Sequence, residues 1–236
     1  MNPELGERLQ LVQQRIRSAA AQAGRSESDL TLVVVTKNHP AQLVLDLIDL
    51  GATDFGENRD QEAAPKALQV AESLAASESM APPNWHFVGQ LQSNKVRSVL
   101  RYASAIHSLD RASLLEALAK ETAKAVSANP VDVFIELNLT DDAGRGGLNP
   151  EQLEGFAEQV LAVPGLQLRG VMGVATLEHE AERDFDFIRS CSQRLQRVAP
   201  KADRISAGMS QDFETAIRFG ATHLRIGTAI TGERQY

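Results

Sequence analysis

The sequence predicts a closed (β/α)8 barrel, in which parallel strands alternate with helices around a ring. Eight strand-like runs follow one another along the chain, and helical patterns separate them. The length of 236 residues suits one barrel better than two small domains, so we expect a single domain over 1–236. A doubly wound open sheet is the alternative, but the chain lacks the two common glycine-rich nucleotide-binding motifs.

The strand predictions rest on short runs rich in β-branched and aromatic residues. The first run, TLVVVT, shows no alternation of polar and apolar residues, which is typical of a parallel strand buried on both faces. The predicted strands cover residues 31–36, 53–56, 85–88, 104–107, 131–138, 166–172, 203–206 and 222–226.

Helical periodicity fills the segments around these strands, beginning with an N-terminal helix at about 3–23. The later helical patterns are PAQLVLDLIDLG, RASLLEALAKETAKAV, PEQLEGFAEQVLAV, AERDFDFIRSCSQRLQRV and QDFETAIRFG. Residues that commonly begin or end helices stand at the predicted boundaries: Pro40, Asp110 and Pro150 at starts, Gly51 and Gly220 at stops. Between 70 and 84 the chain is rich in serine and ends in two prolines, so we predict a mobile loop there.

Composition excludes several classes of protein. The net charge is −7 and no basic block occurs, which disfavours nucleic acid as a partner. Cys191 is the single cysteine, so we expect no disulfide and a reducing, cytoplasmic location. The N-terminus lacks the apolar core of a signal peptide, and no apolar stretch is long enough for a membrane span. No His, Cys or Asp cluster has metal-ligand spacing, so we predict no metal.

The first predicted strand ends in an unexpected residue, because TLVVVT is followed directly by Lys37. Lysine is almost never fully buried unless it is paired, and strand ends often carry a lysine that reaches solvent. The barrel prediction favours another interpretation, since the active sites of such barrels lie at the C-terminal ends of the strands. Lys37 would then offer its amine to a pocket.

Polar residues follow most of the other predicted strands as well. FGEN places Glu57 and Asn58 after the second strand, and we expect Glu57 to order Arg59 or a loop. WHFVGQLQSNK puts His86 inside the third strand, where a hydrogen-bonded core histidine is expected. IHSLD puts His107 at the end of the fourth strand, from which its side chain could approach a pocket. So many polar strand ends on one side of a barrel predict a binding site.

The last two strand ends are the most informative. SAGMS runs into a predicted helix, for which Ser210 is a candidate N-cap, and RIGTAITG leaves strand eight through glycines. Barrels commonly bind phosphate with the loops after strands seven and eight and a helix N-terminus. The alternative is that Gly208, Gly227 and Gly232 are ordinary turn glycines. A pocket lysine opposite a phosphate site favours pyridoxal 5′-phosphate, a phosphate ester whose aldehyde joins an amine as an imine.

Several longer blocks occur together: TKNHP, FGENRDQE, WHFVGQLQSNK, IHSLDR and SAGMSQDFETAIRFGATHLRIGTAITG, which span Lys37 to Gly232. In combination they resemble the pyridoxal phosphate homeostasis proteins. The resemblance implies a barrel of the alanine racemase N-terminal domain type, known as fold type III among proteins that use this cofactor. It also implies that the cofactor binds at the barrel mouth, and that the protein influences the supply of the cofactor in cells.

The resemblance assigns roles to individual residues. Lys37 matches the lysine that forms a Schiff base with the cofactor, Asn58 an asparagine beside it, and Arg225 the arginine that faces the pyridine nitrogen. The residues that match the phosphate cup and its neighbour are Met209, Ser210, Gly227 and Thr228. Three departures from the family pattern leave Lys37, Arg225 and Ser210 untouched: Ala207 for the usual methionine, Thr231 for the usual phenylalanine, and the segment GVMGVATLE around Met172.

Members of this family have no established catalytic activity, and the residues favour a carrier over an enzyme. Arg225 would donate to the ring nitrogen and leave the ring a poor electron sink. A racemase also needs a second acid or base on the far face of its substrate. Tyr102 precedes strand four, at the wrong end of the barrel, and Tyr236 ends the chain. The alternatives are a pyridoxal phosphate-dependent racemase or lyase, and a Schiff-base aldolase that works without the cofactor.

The expected partners follow from this interpretation. We expect pyridoxal phosphate as the ligand and apo forms of enzymes that need it as possible recipients. Strand eight at 222–226 leaves no room for a dimerising domain of the racemase type, so a monomer is expected.

Overall fold

The computed structural model describes residues 3–77, 81–124, 130–140, 146–176 and 180–232. Within these residues the strands form a closed barrel in chain order, and the last strand pairs with the first. Every pairing is parallel. The strands are β1 (Thr31–Val35), β2 (Asp54–Glu57), β3 (Asn84–Phe87), β4 (Ala103–Leu109), β5 (Val131–Glu136), β6 (Leu166–Met172), β7 (Arg204–Ser206) and β8 (His223–Ile226). The predicted barrel is confirmed.

Helices surround the barrel on the outside. They are α1 (Pro3–Gln22), α2 (Ala41–Asp49), α3 (Asp60–Ser77), α4 (Val96–Val99), α5 (Ala112–Thr122), α6 (Leu153–Leu161), α7 (Ala181–Val198), α8 (Phe213–Arg218) and α9 (Thr228–Thr231). The N-terminal helix α1 packs against α8 and α9. Arg8 in α1 donates from Nε to the carbonyl oxygen of Ile230 at 2.7 Å, which fixes the helix beside the end of β8. Among the described residues, none of the helices combines the length and apolar character that crossing a membrane requires.

The apolar core lies between the strands and the helices. Val34, Phe55 and Ile226 point outward from the barrel into this layer and are fully buried against helix residues such as Leu47. The inward-facing residues are different in kind, because imidazole and phenyl rings occupy much of the barrel interior. The ring centroids of His107 and Phe134 lie 4.4 Å apart, with two further histidine rings beside them.

The prediction of a loop at 70–84 is wrong for most of the residues that the structure describes there, because α3 continues to Ser77. Alanine, leucine and glutamate are strong helix formers and outweigh the serines of VAESLAAS. Val70 is fully buried and Leu74 packs partly against the core, so this part of α3 has an apolar face. Residues 78–80 lie outside the described part of the chain.

Two predicted helix caps are wrong, whereas the glycine stops are confirmed. Asp110 does not cap α5: its carboxylate accepts a hydrogen bond from Arg111 Nη1 at 2.6 Å, and the helix begins without a side-chain cap. Ser210 does not cap α8, which begins at Phe213. Gly51 and Gly220 both adopt positive φ angles, 88° and 95°, the left-handed conformation in which glycine commonly ends a helix.

Candidate functional site

The C-terminal ends of β1, β2 and β8 bring the predicted site residues to one rim of the barrel. Val34 is paired with Ile226, and Val35 is paired with Gly56. Lys37, Asn58 and Gly227 each follow one of these strands within two residues of its end. Since the paired strands run in the same direction, the three residues lie at neighbouring positions of the mouth.

Lys37 stands on a tight turn directly after β1. Thr36 before it is buried, Asn38 after it has a φ of 65°, and the Lys37 side chain is exposed. No hydrogen bond or ion pair joins the Lys37 amine to the described part of the chain. The amine is therefore available to a ligand, as the sequence predicts.

A buried ion-pair cluster holds this turn from below. Lys66 Nζ donates to the carbonyl oxygen of Thr36 at 2.9 Å, to Glu57 Oε1 at 2.6 Å and to Glu62 Oε1 at 3.0 Å. The Thr36 hydroxyl donates to Glu57 Oε1 at 2.8 Å, and the Asn38 backbone N–H donates to Glu62. The cluster thus forms hydrogen bonds with the backbone on both sides of the exposed Lys37.

The expected loop-ordering role of Glu57 is confirmed, with Lys66 as its partner and not Arg59. The Glu57 side chain is 0% exposed. Its burial raises the pKa of the carboxyl, while the hydrogen bonds and charge of Lys66 act in the opposite direction. This pairing could not be predicted from the residue pattern, because a lysine in a helical pattern is usually solvated.

Asn58 contributes an unpaired polar atom at the rim. Its side-chain Oδ1 is buried and has no hydrogen-bond partner among the described residues. The loop after β3 packs directly on its backbone, since a Cβ on Gly89 would lie 2.2 Å from the Asn58 carbonyl oxygen. An open depression of about 720 Å³ begins here and is lined also by Phe87, Gln90 and Lys95. A buried carbonyl oxygen without a partner costs free energy, so a ligand donor that pairs with Asn58 Oδ1 would be stabilised.

The predicted phosphate residues come together between β7 and β8. Thr228 Oγ1 lies 3.3 Å from Ser210 Oγ, and the Ala229 N–H points to the same oxygen at 3.4 Å. Gly227 precedes α9 directly. Met209 is the exposed neighbour in this loop, at 39% exposure. The site therefore offers two hydroxyls and the first N–H groups of a helical turn, the donors that suit an anion.

Gly208 makes this arrangement possible. Its φ is 92°, and a Cβ there would lie 2.8 Å from Ala216 Cβ and 3.0 Å from Phe213 Cα. Its carbonyl oxygen accepts a hydrogen bond from the Arg225 N–H at 2.9 Å. The loop thus passes close to α8 and still bonds to β8, which only glycine permits in this conformation.

Arg225 lies inside the barrel beneath the mouth, at 6% exposure. Its guanidinium donates from Nη1 to Ser206 Oγ at 2.6 Å and from Nη2 to the Gly173 carbonyl oxygen at 3.0 Å. Desolvation lowers the pKa of Arg225 to about 10, so the group remains a cation at neutral pH. A fixed hydrogen-bond donor with a positive charge therefore lies inside the barrel, two residues before Gly227.

Other predicted residues stand apart from the mouth. Tyr102 immediately precedes β4, at the N-terminal end of the barrel, as expected. Tyr236 lies outside the described residues. Within the described residues no group of three or more His, Cys, Asp or Glu side chains could hold a metal ion. Sequence reasoning missed the roles of Ser206 and Lys66. Both contact residues of the site or of its supporting turn, but neither is part of the site itself.

Comparison with known proteins relates this geometry to a family. The model of the alanine racemase N-terminal domain matches residues 8–235. The pyridoxal phosphate homeostasis protein of Mycobacterium leprae is 38% identical, and the match covers 97% of this chain and 92% of that protein. The chain belongs to the pyridoxal phosphate homeostasis protein family. PipY of Synechococcus elongatus, solved with pyridoxal phosphate bound, is 30% identical with a TM-score of 0.80 over 97% of this chain and 100% of PipY.

More distant structures agree on the fold. Alanine racemase from Corynebacterium glutamicum is 15% identical and superposes with a TM-score of 0.67, covering 95% of this chain and 61% of the enzyme. At this identity the likeness concerns the architecture only. The expected alanine racemase-type barrel is therefore confirmed.

Proposed function

We propose that this protein binds pyridoxal 5′-phosphate covalently through Lys37 and holds it for supply to other proteins, without catalysing a reaction on it. The observation that carries the proposal is the exposed Lys37 amine, which has no partner in the described chain and follows β1, the strand that pairs with β8. Names of the relatives support a homeostasis role, and PipY was solved with this cofactor.

The residues of the mouth fit the chemical groups of the cofactor. When bound, the cofactor supplies an aldehyde that condenses reversibly with an amine, next to a ring and a phosphate. Lys37 provides the amine, while Ser210, Gly227 and Thr228 provide neutral donors for the phosphate. The unpaired Asn58 amide is positioned to meet a polar atom of the ligand. Arg225 provides the donor for the ring nitrogen.

Arg225 also argues for holding over catalysis. Its guanidinium is a cation at neutral pH, and arginine has no lone pair with which to accept a proton. A ring nitrogen that accepts a hydrogen bond from it stays unprotonated, and such a ring withdraws electrons poorly. We propose cytoplasmic enzymes that lack the cofactor as its recipients. Because the Lys37 amine is exposed, an amine of a recipient can compete with it for the cofactor.

Covalent trapping tests the proposed site. After incubation with pyridoxal phosphate, borohydride should fix the cofactor on the peptide that contains Lys37. Lys37→Ala should lose the adduct and its absorbance while it keeps the wild-type circular dichroism spectrum, because one exposed side chain is removed. Lys95→Ala is the matched control, since Lys95 lies at the same mouth in a 3.8 Å ion pair with Asp60 and should keep the adduct. An adduct on Lys95 or Lys66 would contradict the assignment.

A racemase or lyase is the second candidate, which the match to an alanine racemase domain favours. Such chemistry needs acid–base groups on both faces of the substrate. Lys37 serves one face, and Tyr102 lies at the opposite end of the barrel. In deuterated water the loaded protein should therefore deuterate the α-carbon of L-alanine no faster than free pyridoxal phosphate, as followed by NMR. Faster exchange that Lys37→Ala abolishes would decide for an enzyme.

A further inference from the structure

A continuous line of hydrogen bonds crosses the barrel interior from its N-terminal end to Arg225. Asp54 Oδ1 lies 3.0 Å from His86 Nε2, and His86 Nδ1 lies 2.9 Å from His107 Nε2. His107 Nδ1 lies 2.7 Å from Ser206 Oγ, which is 2.6 Å from Arg225 Nη1. We call these five side chains the interior network. They come from β2, β3, β4, β7 and β8, so the network spans most of the sheet.

With both rings neutral, the carboxylate at one end fixes the direction of every bond between the two ends. A guanidinium only donates, so Ser206 Oγ accepts from Arg225 and its own proton is available to His107 Nδ1. A neutral imidazole that accepts at Nδ1 carries its proton on Nε2, so His107 donates to His86 Nδ1. By the same argument His86 donates from Nε2 to Asp54, and an ionised carboxylate only accepts. With both rings neutral, the arrangement of Nε2–H tautomers satisfies all five groups.

Burial and charge agree with this state. The His107 side chain is 0% exposed, and desolvation together with the nearby His86, His223 and Arg225 keeps the pKa of His107 well below its ordinary value. Burial of Asp54 disfavours its charged form, but hydrogen bonds from His86 and other neighbours outweigh this effect and hold its pKa below the ordinary value. His107 is thus neutral and the Asp54 carboxylate is ionised.

The network gives the buried Arg225 an oriented acceptor, in addition to the electrostatic attraction of Glu136 and Asp212. No ion pair joins its guanidinium to a carboxylate within the described residues. Within the described residues, the guanidinium donates to two acceptors, Ser206 Oγ and the backbone carbonyl oxygen of Gly173. The hydroxyl of a serine rotates freely unless a partner holds its proton, and here His107 Nδ1 is that partner. In a low-dielectric interior such linked bonds strengthen one another.

We propose that Asp54, His86, His107 and Ser206 are positioning residues, which orient Arg225 toward the cofactor through one directional hydrogen-bond network. The assignment of Arg225 to the cofactor rests on the proposed function, whereas the network is argued from the structure alone. Asp54, at 17% side-chain exposure, is the end of the network nearest to solvent. We therefore expect a substitution of Asp54, at the N-terminal end of the barrel, to alter the orientation of Arg225 at the opposite end.

The tautomers can be measured directly in the cofactor-free protein. Long-range ¹H–¹⁵N correlation spectra at pH 7 distinguish a protonated ring nitrogen from a bare one. Both His86 and His107 should show a bare Nδ1 and a protonated Nε2. A proton on Nδ1 of either ring, or a charged ring at this pH, overturns the proposal, and no substitution is needed for this result.

Two nearly isosteric variants then test the coupling to Arg225. His107→Leu removes the acceptor for the Ser206 proton, while His107→Asn keeps an amide oxygen near the Nδ1 position. In the cofactor-free wild type the Nη protons of Arg225 should give separate, slowly exchanging signals. We expect exchange about tenfold faster in His107→Leu, the factor for one lost hydrogen bond, and near wild-type exchange in His107→Asn. Equal exchange in the wild type and the leucine variant overturns the proposal.

Cofactor release separates this proposal from the proposed function. Loaded His107→Leu should release pyridoxal phosphate about tenfold faster than loaded His107→Asn, because Arg225 is less well held. Equal release rates, with the Arg225 signals changed as expected, overturn the role toward the cofactor. If trapping on Lys37 fails while the NMR spectra of His86, His107 and Arg225 are as expected, the proposed function is contradicted but the interior network is supported.

Discussion

Replacing Lys66 by methionine should lower the free energy of unfolding by about 3–5 kcal/mol at pH 7, because it leaves the charge of Glu57 buried without its partner. Glu57 is 0% exposed, and its Oε2 already lacks a hydrogen-bond partner among the described residues. The Thr36 hydroxyl would be the one remaining donor to the carboxylate. Methionine has a similar length and keeps the packing of the aliphatic stem, so the loss comes from the missing ammonium group and its bonds to Glu57, Glu62 and the Thr36 carbonyl oxygen.

The pH dependence of this loss identifies Glu57 as its cause. Burial already raises the pKa of Glu57 in the wild type, and removal of the Lys66 charge raises it further. The folded variant then binds a proton that the unfolded chain has released, so its stability falls as pH rises from about 4.5. Urea unfolding at a series of pH values should therefore show a small difference from wild type near pH 4.5 and the full difference at pH 7.

Two controls accompany the measurement. Lys124→Met breaks the exposed ion pair with Glu121, 2.5 Å long, and should cost less than about 1 kcal/mol. The double variant Lys66→Met with Glu57→Gln should recover much of the stability, because a neutral buried pair carries no uncompensated charge. A loss in Lys66→Met no larger than that in Lys124→Met would show that the cluster does not stabilise the Lys37 turn.

The sequence predicted the barrel well because its strands have a strong local signal. The run TLVVVT is buried on both faces and has one interpretation, and β1 indeed covers Thr31–Val35. Strand order then follows from parallel pairing of neighbours, which places the ends of β1 and β8 together. The position of Lys37 relative to Ser210 and Thr228 is a consequence of this topology.

The supporting contacts could not be predicted in the same way. His107 and Ser206 are separated by 99 residues, and their bond depends on which face of each strand points inward. A slip of one residue in register would turn either side chain to the other face. Ser210 shows the same limit at short range: it looked like a helix cap, but the helix begins at Phe213 and the hydroxyl turns to α9.

Acid should begin to destabilise the protein well above the pH at which carboxylates titrate, because two histidines that are buried and neutral in the fold gain protons readily only on unfolding. In the unfolded chain a histidine has a pKa near 6.5. In the fold, desolvation lowers the pKa of His223 to about 3 and that of His107 well below its ordinary value. Between about pH 6.5 and 3 the unfolded state therefore binds more protons than the folded state. Stability is fully present above pH 6.5 and is lost as pH falls.

The expected size of the effect is large for one protein domain. Each histidine contributes up to about 1.4 kcal/mol per pH unit, so two contribute up to about 2.7. From pH 6.5 to 4.5 the loss amounts to roughly 4–5 kcal/mol, against a typical total stability of about 5–15 kcal/mol. Glu57 and Asp132 act in the opposite direction, because burial raises the pKa of each carboxyl.

A comparison with His223→Gln removes the contribution of those carboxylates, since both proteins contain them. Glutamine keeps a polar group near Thr222, whose hydroxyl lies 2.9 Å from His223 Nδ1, but it cannot gain a proton. Urea unfolding between pH 7 and 4.5 should give the variant a pH slope shallower than the wild-type slope by up to about 1.4 kcal/mol per unit. His107, which the variant retains, should account for the positive slope that remains. Parallel curves of stability against pH for the two proteins would mean that His223 is not held neutral in the folded protein.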